Sequence, residues 1–178
     1  MLSQVQKELE STQRENIFHS RCLINNKVCS LIIDGRSSAN VASTRVVEKH
    51  SLETIPHAKP YKLTWISKEE EIDVNIQVLI NFSIGNYMDE VLCDDVPMEA
   101  IHLLLGKPWQ FDKHTLHDGH TNKFYFHFHG KKITLAPLSP QEKIKKIPQK
   151  YYLPIKVPKQ VGHSPSHSPF SLQIKKER

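Results

Sequence analysis

Cys29-Ser30-Leu31-Ile32-Ile33-Asp34-Gly35-Arg36-Ser37-Ser38-Ala39-Asn40 joins a short apolar run to a single carboxylate. The apolar residues 31–33 are typical of a buried β-strand, and Asp34 begins a turn of small and polar residues. Burying a carboxylate at the end of such a strand costs free energy unless it is paired or has a chemical role. Asp34 is therefore the first candidate functional residue, although a turn-forming aspartate that caps the next segment would fit the same pattern.

A second apolar run lies about 70 residues further along the chain, and it ends in a glycine: Ile101-His102-Leu103-Leu104-Leu105-Gly106-Lys107-Pro108-Trp109. Taken alone, this run predicts only a core strand. Its terminal glycine would allow another backbone segment to approach closely. The two runs together are more specific than either one.

This combination resembles the retropepsin-like aspartic proteases. The greatest likeness is to the protease segment of plant Ty3/Gypsy-type retrotransposon polyproteins, which carry Asp-Gly-Gly-Ser in place of the usual Asp-Thr/Ser-Gly. The resemblance covers roughly Ile17 to Pro137. It depends on three segments, Cys29–Ser43, Val78–Gln110 and Lys131–Pro137.

The resemblance implies a mostly-β, retropepsin-like fold that is a closed barrel half with one short helix. It implies Asp34 as the catalytic residue, an active-site loop of Gly35, Arg36 and Ser37, and support from Leu105 and Gly106. Because one chain supplies one carboxylate, it implies a homodimer that cuts a polypeptide, the retrotransposon polyprotein. No metal or organic cofactor is expected, since water is the nucleophile.

Two departures from the family pattern favour an alternative, a degenerate non-catalytic domain retained for dimerisation or peptide binding. Arg36 stands where the family has glycine, and a permanent positive charge there would favour ionisation of both carboxylates. The resemblance also implies a hairpin over the site at Trp65–Val74, but that segment lacks the glycine expected near its tip.

Composition predicts one ordinary domain with appendages in the 178 residues: a polar arm at 1–15, the protease-like domain at 16–138, and a disordered Lys/Pro-rich linker at 139–178. Residues 141–178 hold nine Lys/Arg and only two Asp/Glu, so the tail accounts for the net charge of +5. No signal peptide or membrane segment is recognisable. Three cysteines without a Cys-x-x-Cys pair favour a reducing, intracellular and cytoplasmic setting.

Hydrophobic alternation predicts strands at 17–24, 27–33, 61–66, 72–76, 78–84, 87–93, 101–105, 124–128 and 132–135. Turns are predicted at Asn25-Asn26, at Gly85-Asn86 and at 129–131. One helix is predicted at Val41–Lys49, with Ser43 or Asn40 as its cap.

Five histidines near the C-terminal end of the body raise the hypothesis of a zinc site: His114, His117, His120, His127 and His129. Without a cysteine pair or an acidic ligand, exposed polar positions on a hairpin explain them better, so no metal is predicted. The basic tail raises a third functional hypothesis, nucleic-acid binding. No aromatic residues alternate with its lysines, so a solvated linker is the better interpretation and the folded domain is not expected to bind nucleic acid.

Overall fold

The computed structural model describes residues 17–64, 71–139 and 142, which form ten strands and two short helices. The strands are β1 (Phe18–Ile24), β2 (Lys27–Ile33), β3 (Val41–Ser43), β4 (Thr54–Thr64), β5 (Glu71–Ile84), β6 (Tyr87–Val96), β7 (Leu103–Leu105), β8 (Leu116–Asp118), β9 (Lys123–Phe128) and β10 (Lys131–Leu135). The helices are α1 (Thr44–Lys49) and α2 (Lys107–Asp112). The mostly-β prediction is confirmed. Neither helix of the described segments is long and apolar enough to cross a membrane.

The first hairpin forms as its sequence predicts. β1 and β2 pair in antiparallel register from Phe18 opposite Ile33 to Ile24 opposite Lys27. The two residues between the strands, Asn25 and Asn26, have φ values of 47° and 60°. Asparagine tolerates this left-handed conformation better than most residues, and two such residues in succession match the right-handed twist of the strands.

A seven-stranded sheet places β7 between the two strands that flank the Asp34 turn. The strand order is β1-β2-β7-β3-β6-β5-β4, and one further pair, Leu23 with Ser83, joins β1 to β5. β7 runs parallel to β2 and antiparallel to β3. The chain from β2 to β3 must therefore pass over the end of β7, which brings residues 34–40 onto Gly106. A separate three-stranded sheet has the order β10-β9-β8.

β7 and the last three residues of β2 are buried on both faces, which explains their unbroken apolar sequences. Leu31 and Leu103 contribute to one hydrophobic cluster, while Ile32 and Leu104 contribute to a second cluster. The three cysteines are buried free thiols within the first cluster. Burial raises the pKa of the Cys22 thiol to about 12, so this residue behaves as a packing group rather than a nucleophile.

Several sequence predictions need correction. Two short helices are present among the described residues instead of one, because Lys107–Asp112 forms α2 directly after β7. The predicted helix at Val41–Lys49 begins only at Thr44, since Val41–Ser43 pairs as strand β3 with β6 and β7. The two strands predicted between Ile72 and Ile84 are one continuous strand, β5.

The remaining predictions of local structure fall partly outside the described residues. Ser43 does cap α1, because its hydroxyl accepts a hydrogen bond from the Val46 N–H at 3.2 Å. β4 and β5 pair in antiparallel register on either side of residues 65–70, where most of the expected hairpin tip lies. That tip, the arm at 1–15 and the tail from 143 onward lie outside the described segments.

Candidate functional site

The carboxylate Asp34 lies at the carboxyl end of β2 and is only 6% exposed. Its backbone N–H donates to the carbonyl oxygen of Leu105 at 3.0 Å, which continues the parallel pairing of β2 with β7 by one residue. Its carbonyl accepts from the Ser37 N–H at 3.1 Å, closing a tight turn. The position of this carboxylate is therefore fixed by two neighbouring core strands.

Arg36 makes two contacts with one oxygen of Asp34. The Arg36 backbone N–H donates to Asp34 Oδ1 at 2.9 Å, and the guanidinium Nε donates to the same oxygen at 3.2 Å. The Arg36 side chain is 51% exposed, whereas that of Asp34 is 7% exposed. No hydrogen bond from the described residues reaches Asp34 Oδ2. One carboxylate oxygen is thus occupied and the other remains for a water or a second carboxyl group.

Gly106 lies directly beneath the loop that carries Asp34. A Cβ atom added to Gly106 would lie 2.2 Å from the carbonyl oxygen of Ala39 and 2.8 Å from that of Ser37. The Ser37 carbonyl also accepts a hydrogen bond from the Lys107 N–H at 2.8 Å. Only glycine permits this approach, because any side chain would push the loop away from β7.

Asn40 joins the loop to α2, a role that differs from the α1 cap considered in the sequence. Its side-chain Oδ1 accepts hydrogen bonds from the N–H groups of Gly106 at 2.9 Å and Trp109 at 3.3 Å. The first N–H groups of a helix have no partner within the helix, so Asn40 supplies one from a distant part of the chain. This capping role could not be predicted from local spacing, since 66 residues separate Asn40 from Gly106.

The predicted site residues therefore meet at one place. The structure brings together the end of β2, the loop after it and the end of β7, with these residues: Asp34, Gly35, Arg36, Ser37, Leu105 and Gly106. Gly35 and Arg36 are exposed, while Ser37, Leu105 and Gly106 are buried. The Ser37 hydroxyl is turned inward, where it donates to the Ala39 carbonyl at 2.7 Å.

A second buried carboxylate, Asp94 on β6, lies close to the same loop and was not recognised in the sequence. Its oxygens accept hydrogen bonds from the Tyr61 hydroxyl at 2.6 Å and Gln77 Nε2 at 2.9 Å, and His57 Nε2 lies 3.1 Å from its Oδ1. Burial, together with the hydrogen bond to Asp94, raises the pKa of the Tyr61 phenol. The Asp94 N–H donates to the carbonyl of Asn40 at 2.9 Å, so this network connects β4 and β5 to the loop.

A third carboxylate, Asp89, anchors α2 from the opposite side. It accepts hydrogen bonds from the Tyr87 hydroxyl, Trp109 Nε1 and Lys113 Nζ, the last at 2.8 to 2.9 Å. Burial alone would raise the pKa of Asp89, but the hydrogen bonds from Lys113 and Tyr87 outweigh it and hold the pKa below its ordinary value. Asp89 thus stays charged and holds Trp109 and the helix in place.

The histidines near the C-terminal sheet have other surroundings. His117 Nε2 lies 2.8 Å from Asn122 Oδ1, and its ring stacks on Phe124 with 4.4 Å between centroids. His114 and His129 occupy turn positions with φ of 49° and 48°. Among the described residues, no three His, Cys, Asp or Glu side chains are grouped so that they could hold a metal ion.

The sequence matches no protein-family model and no curated protein. Among solved structures, the chain is similar to the retroviral protease-like domain of Ddi1 from Leishmania major. The TM-score is 0.49 and the identity is 10%, with 71% of this chain and 97% of that chain covered.

Proposed function

We propose that this chain is one half of a homodimeric aspartic endopeptidase, with Asp34 as its catalytic carboxylate. The observation that carries the proposal is the position of Asp34. It is a buried carboxylate held by the backbone at the junction of two core strands, and its Oδ2 accepts no hydrogen bond from the described residues. A capping aspartate would direct its oxygens to the helix that follows. Here Ser43 caps α1 instead, and Asp34 Oδ1 accepts from its own turn at Arg36, so Oδ2 has no partner in the turn or the helix.

The chemistry requires two carboxylates a few ångströms apart that share one proton and hold a water between them. Two adjacent negative charges repel, so the pair retains one proton and supplies an acid and a base together. The ionised carboxyl takes a proton from the attacking water while the protonated one donates to the peptide carbonyl oxygen. Water attacks the carbonyl carbon to give a gem-diol. The first carboxyl then passes the proton it took from water to the amide nitrogen, the second recovers a proton from a gem-diol hydroxyl, and the C–N bond breaks to give an acid and an amine.

One chain supplies one such carboxylate, so a two-fold axis that passes close to Asp34 is required. Exposed Gly35 and Arg36 are the residues that a second copy would meet first. The proposed substrate is the polyprotein of a plant Ty3/Gypsy-type retrotransposon, processed inside the cell. The support for this substrate is the Asp-Gly-Arg-Ser loop and its spacing from Leu105-Gly106.

A second candidate function is a non-catalytic domain of the same fold that dimerises or binds peptides. The contact that favours it is the 3.2 Å ion pair between Arg36 Nε and Asp34 Oδ1. This contact occupies one carboxylate oxygen and adds charge and bulk beside the position that the second carboxylate would need.

One experiment separates the two functions. The full chain is incubated with a mixed peptide library between pH 3 and pH 7, with and without pepstatin, beside the variant Asp34→Asn. Cleavage at acid pH that pepstatin inhibits and Asp34→Asn abolishes supports the endopeptidase. A folded, dimeric chain that cleaves nothing, and in which Arg36→Gly also cleaves nothing, supports the non-catalytic domain.

A further inference from the structure

The side chain of Gln110 on α2 contains a buried hydrogen-bond donor with no partner. Among the described residues, Gln110 Nε2 is the side-chain atom that is inaccessible to solvent and yet makes no hydrogen bond. Buried donors in folded proteins are almost always paired, so an exception in a well-packed region needs an explanation. The backbone of Gln110 is fully engaged, because its N–H donates to Gly106 and its carbonyl accepts from Thr115.

This donor lies against the residue that follows the candidate catalytic carboxylate. A Cβ atom added to Gly35 would be 3.4 Å from Gln110 Oε1 and 3.7 Å from Gln110 Nε2. The carboxamide thus packs on the face of Gly35 where a side chain would otherwise be. Gly35 is exposed on its other side, and no hydrogen bond to its carbonyl is found among the described residues.

The proposed mechanism brings the loop of a second copy of the chain close to Gly35. If two Asp34 carboxylates lie a few ångströms apart, each Asp34–Arg36 loop faces the same loop of the second copy across the two-fold axis. Gly35 has no side chain to keep the loops apart. Gln110 Nε2 is then a buried donor without a partner beside this loop, and the Gly35 carbonyl is a backbone acceptor without one among the described residues.

We propose that Gln110 is a positioning residue of the dimer, whose side-chain amide donates a hydrogen bond to the backbone of the partner's active-site loop. Gln110 as a whole is only half-buried, and its terminal carboxamide would have to rotate past Gly35 to reach the partner. Two such bonds, one from each copy, fix the separation of the loops and therefore of the two Asp34 carboxylates. This inference rests on the proposed function, because it requires the homodimer.

The rival explanation is a buried water that accepts from Gln110 Nε2 within one chain. The two explanations predict that removal of the amide changes different quantities, the stability of the single chain or the affinity of the dimer. If water satisfies the amide, removing the amide changes the single chain and leaves association unaffected. If the partner satisfies it, the unpaired amide destabilises the single chain and contributes a hydrogen bond only in the dimer.

The test uses Gln110→Met in the full chain, because methionine keeps the length and helix propensity of glutamine and removes the donor. Phe111→Met is the matched control, since Phe111 is the next residue of α2 and is 78% exposed. Two quantities are measured for each protein: the melting temperature at a concentration where the chain is monomeric, and the dimer dissociation constant by sedimentation equilibrium.

We expect Gln110→Met to raise the dimer dissociation constant about tenfold, as the loss of two uncharged hydrogen bonds should, and to leave the monomer melting temperature unchanged or higher. Phe111→Met should change the dissociation constant much less. An unchanged dissociation constant for Gln110→Met would overturn the inference, as would a parallel loss of monomer stability. If the unmodified chain dimerises and cleaves peptide while Gln110→Met associates equally well, only this inference fails. If the unmodified chain is monomeric at every concentration, the homodimer of the proposed function fails with it.

Discussion

Gly106 provides a sharp test of how the candidate site is built. In Gly106→Ala, the new methyl group would lie 2.2 Å from the Ala39 carbonyl oxygen and 2.8 Å from that of Ser37. Both neighbours are backbone atoms, so the whole loop must move to relieve the overlap. Overpacking of this kind costs about 1–3 kcal/mol. The hydrogen bonds from Lys107 to Ser37 and from Gly106 to Asn40 would weaken as well, at about 1 kcal/mol each. We therefore expect a loss of about 3–5 kcal/mol in the free energy of unfolding.

Gly35→Ala is the matched control, because it adds the same methyl group to the same loop. Its Cβ would lie 3.4 Å from its nearest neighbour, an ordinary contact with the end of a side chain, and Gly35 lacks a positive φ. Replacing glycine where alanine fits stabilises a protein by about 0.4–1 kcal/mol, through the unfolded chain. Urea unfolding of both variants in the full chain gives both values. Equal midpoints for the two variants, or a loss below about 1 kcal/mol for Gly106→Ala, would show that the loop is not held against β7 as described.

Arg36, Asn40 and Asp89 each allow a further test. Arg36→Gly should raise acid-pH peptide cleavage from a very low level, and the double variant with Asp34→Asn should be inactive; assays of both with a cleavable peptide check this. Asn40→Ala should lower the free energy of unfolding by about 1–3 kcal/mol, since two helix N–H groups lose their acceptor; urea denaturation measures the loss. The folded pKa of Asp89 is lowered, so its charge contributes stability above the ordinary aspartate pKa of about 4, and this contribution is lost as pH falls through the folded pKa. The stability difference between the unmodified chain and Asp89→Asn should therefore be largest near neutral pH and shrink below pH 4, as melting temperatures from pH 2 to pH 7 would show.

The parts of the fold that the sequence predicts well depend on local periodicity. Alternation of apolar and polar residues identifies β1, β6 and β9 closely, and Asn25-Asn26 identifies the first hairpin turn. The unbroken runs before Asp34 and Gly106 indicate buried strand segments, which the end of β2 and all of β7 are. The resemblance of these two runs to a protease motif then predicts that Asp34 and Gly106 lie close together.

Other features depend on contacts between residues far apart in sequence. α2 is six residues long and contains Pro108, so no helical periodicity is visible in it. It exists because Asn40 caps its first turn and Trp109 is buried in the core. The Asp94 network is equally hard to see in the sequence, since its donors Tyr61 and Gln77 come from two other strands, β4 and β5. Acidic residues in a strand predict solvent exposure unless the tertiary partners are known.

The two candidate functions differ in what they require of a single side chain, and the geometry of Arg36 permits them to be separated. Its backbone N–H and its guanidinium both donate to Asp34 Oδ1. The first bond would remain with glycine at this position, so Arg36→Gly keeps the carboxylate oriented while it removes charge and bulk. The guanidinium is half-exposed and solvent screens its charge, so the ion pair itself contributes only about 0–1 kcal/mol to stability. Replacing the side chain should therefore cost little stability. A comparison of the unmodified chain with Arg36→Gly consequently measures what the charge and bulk of Arg36 do to the chemistry, with the scaffold of β2, β7 and Gly106 held constant.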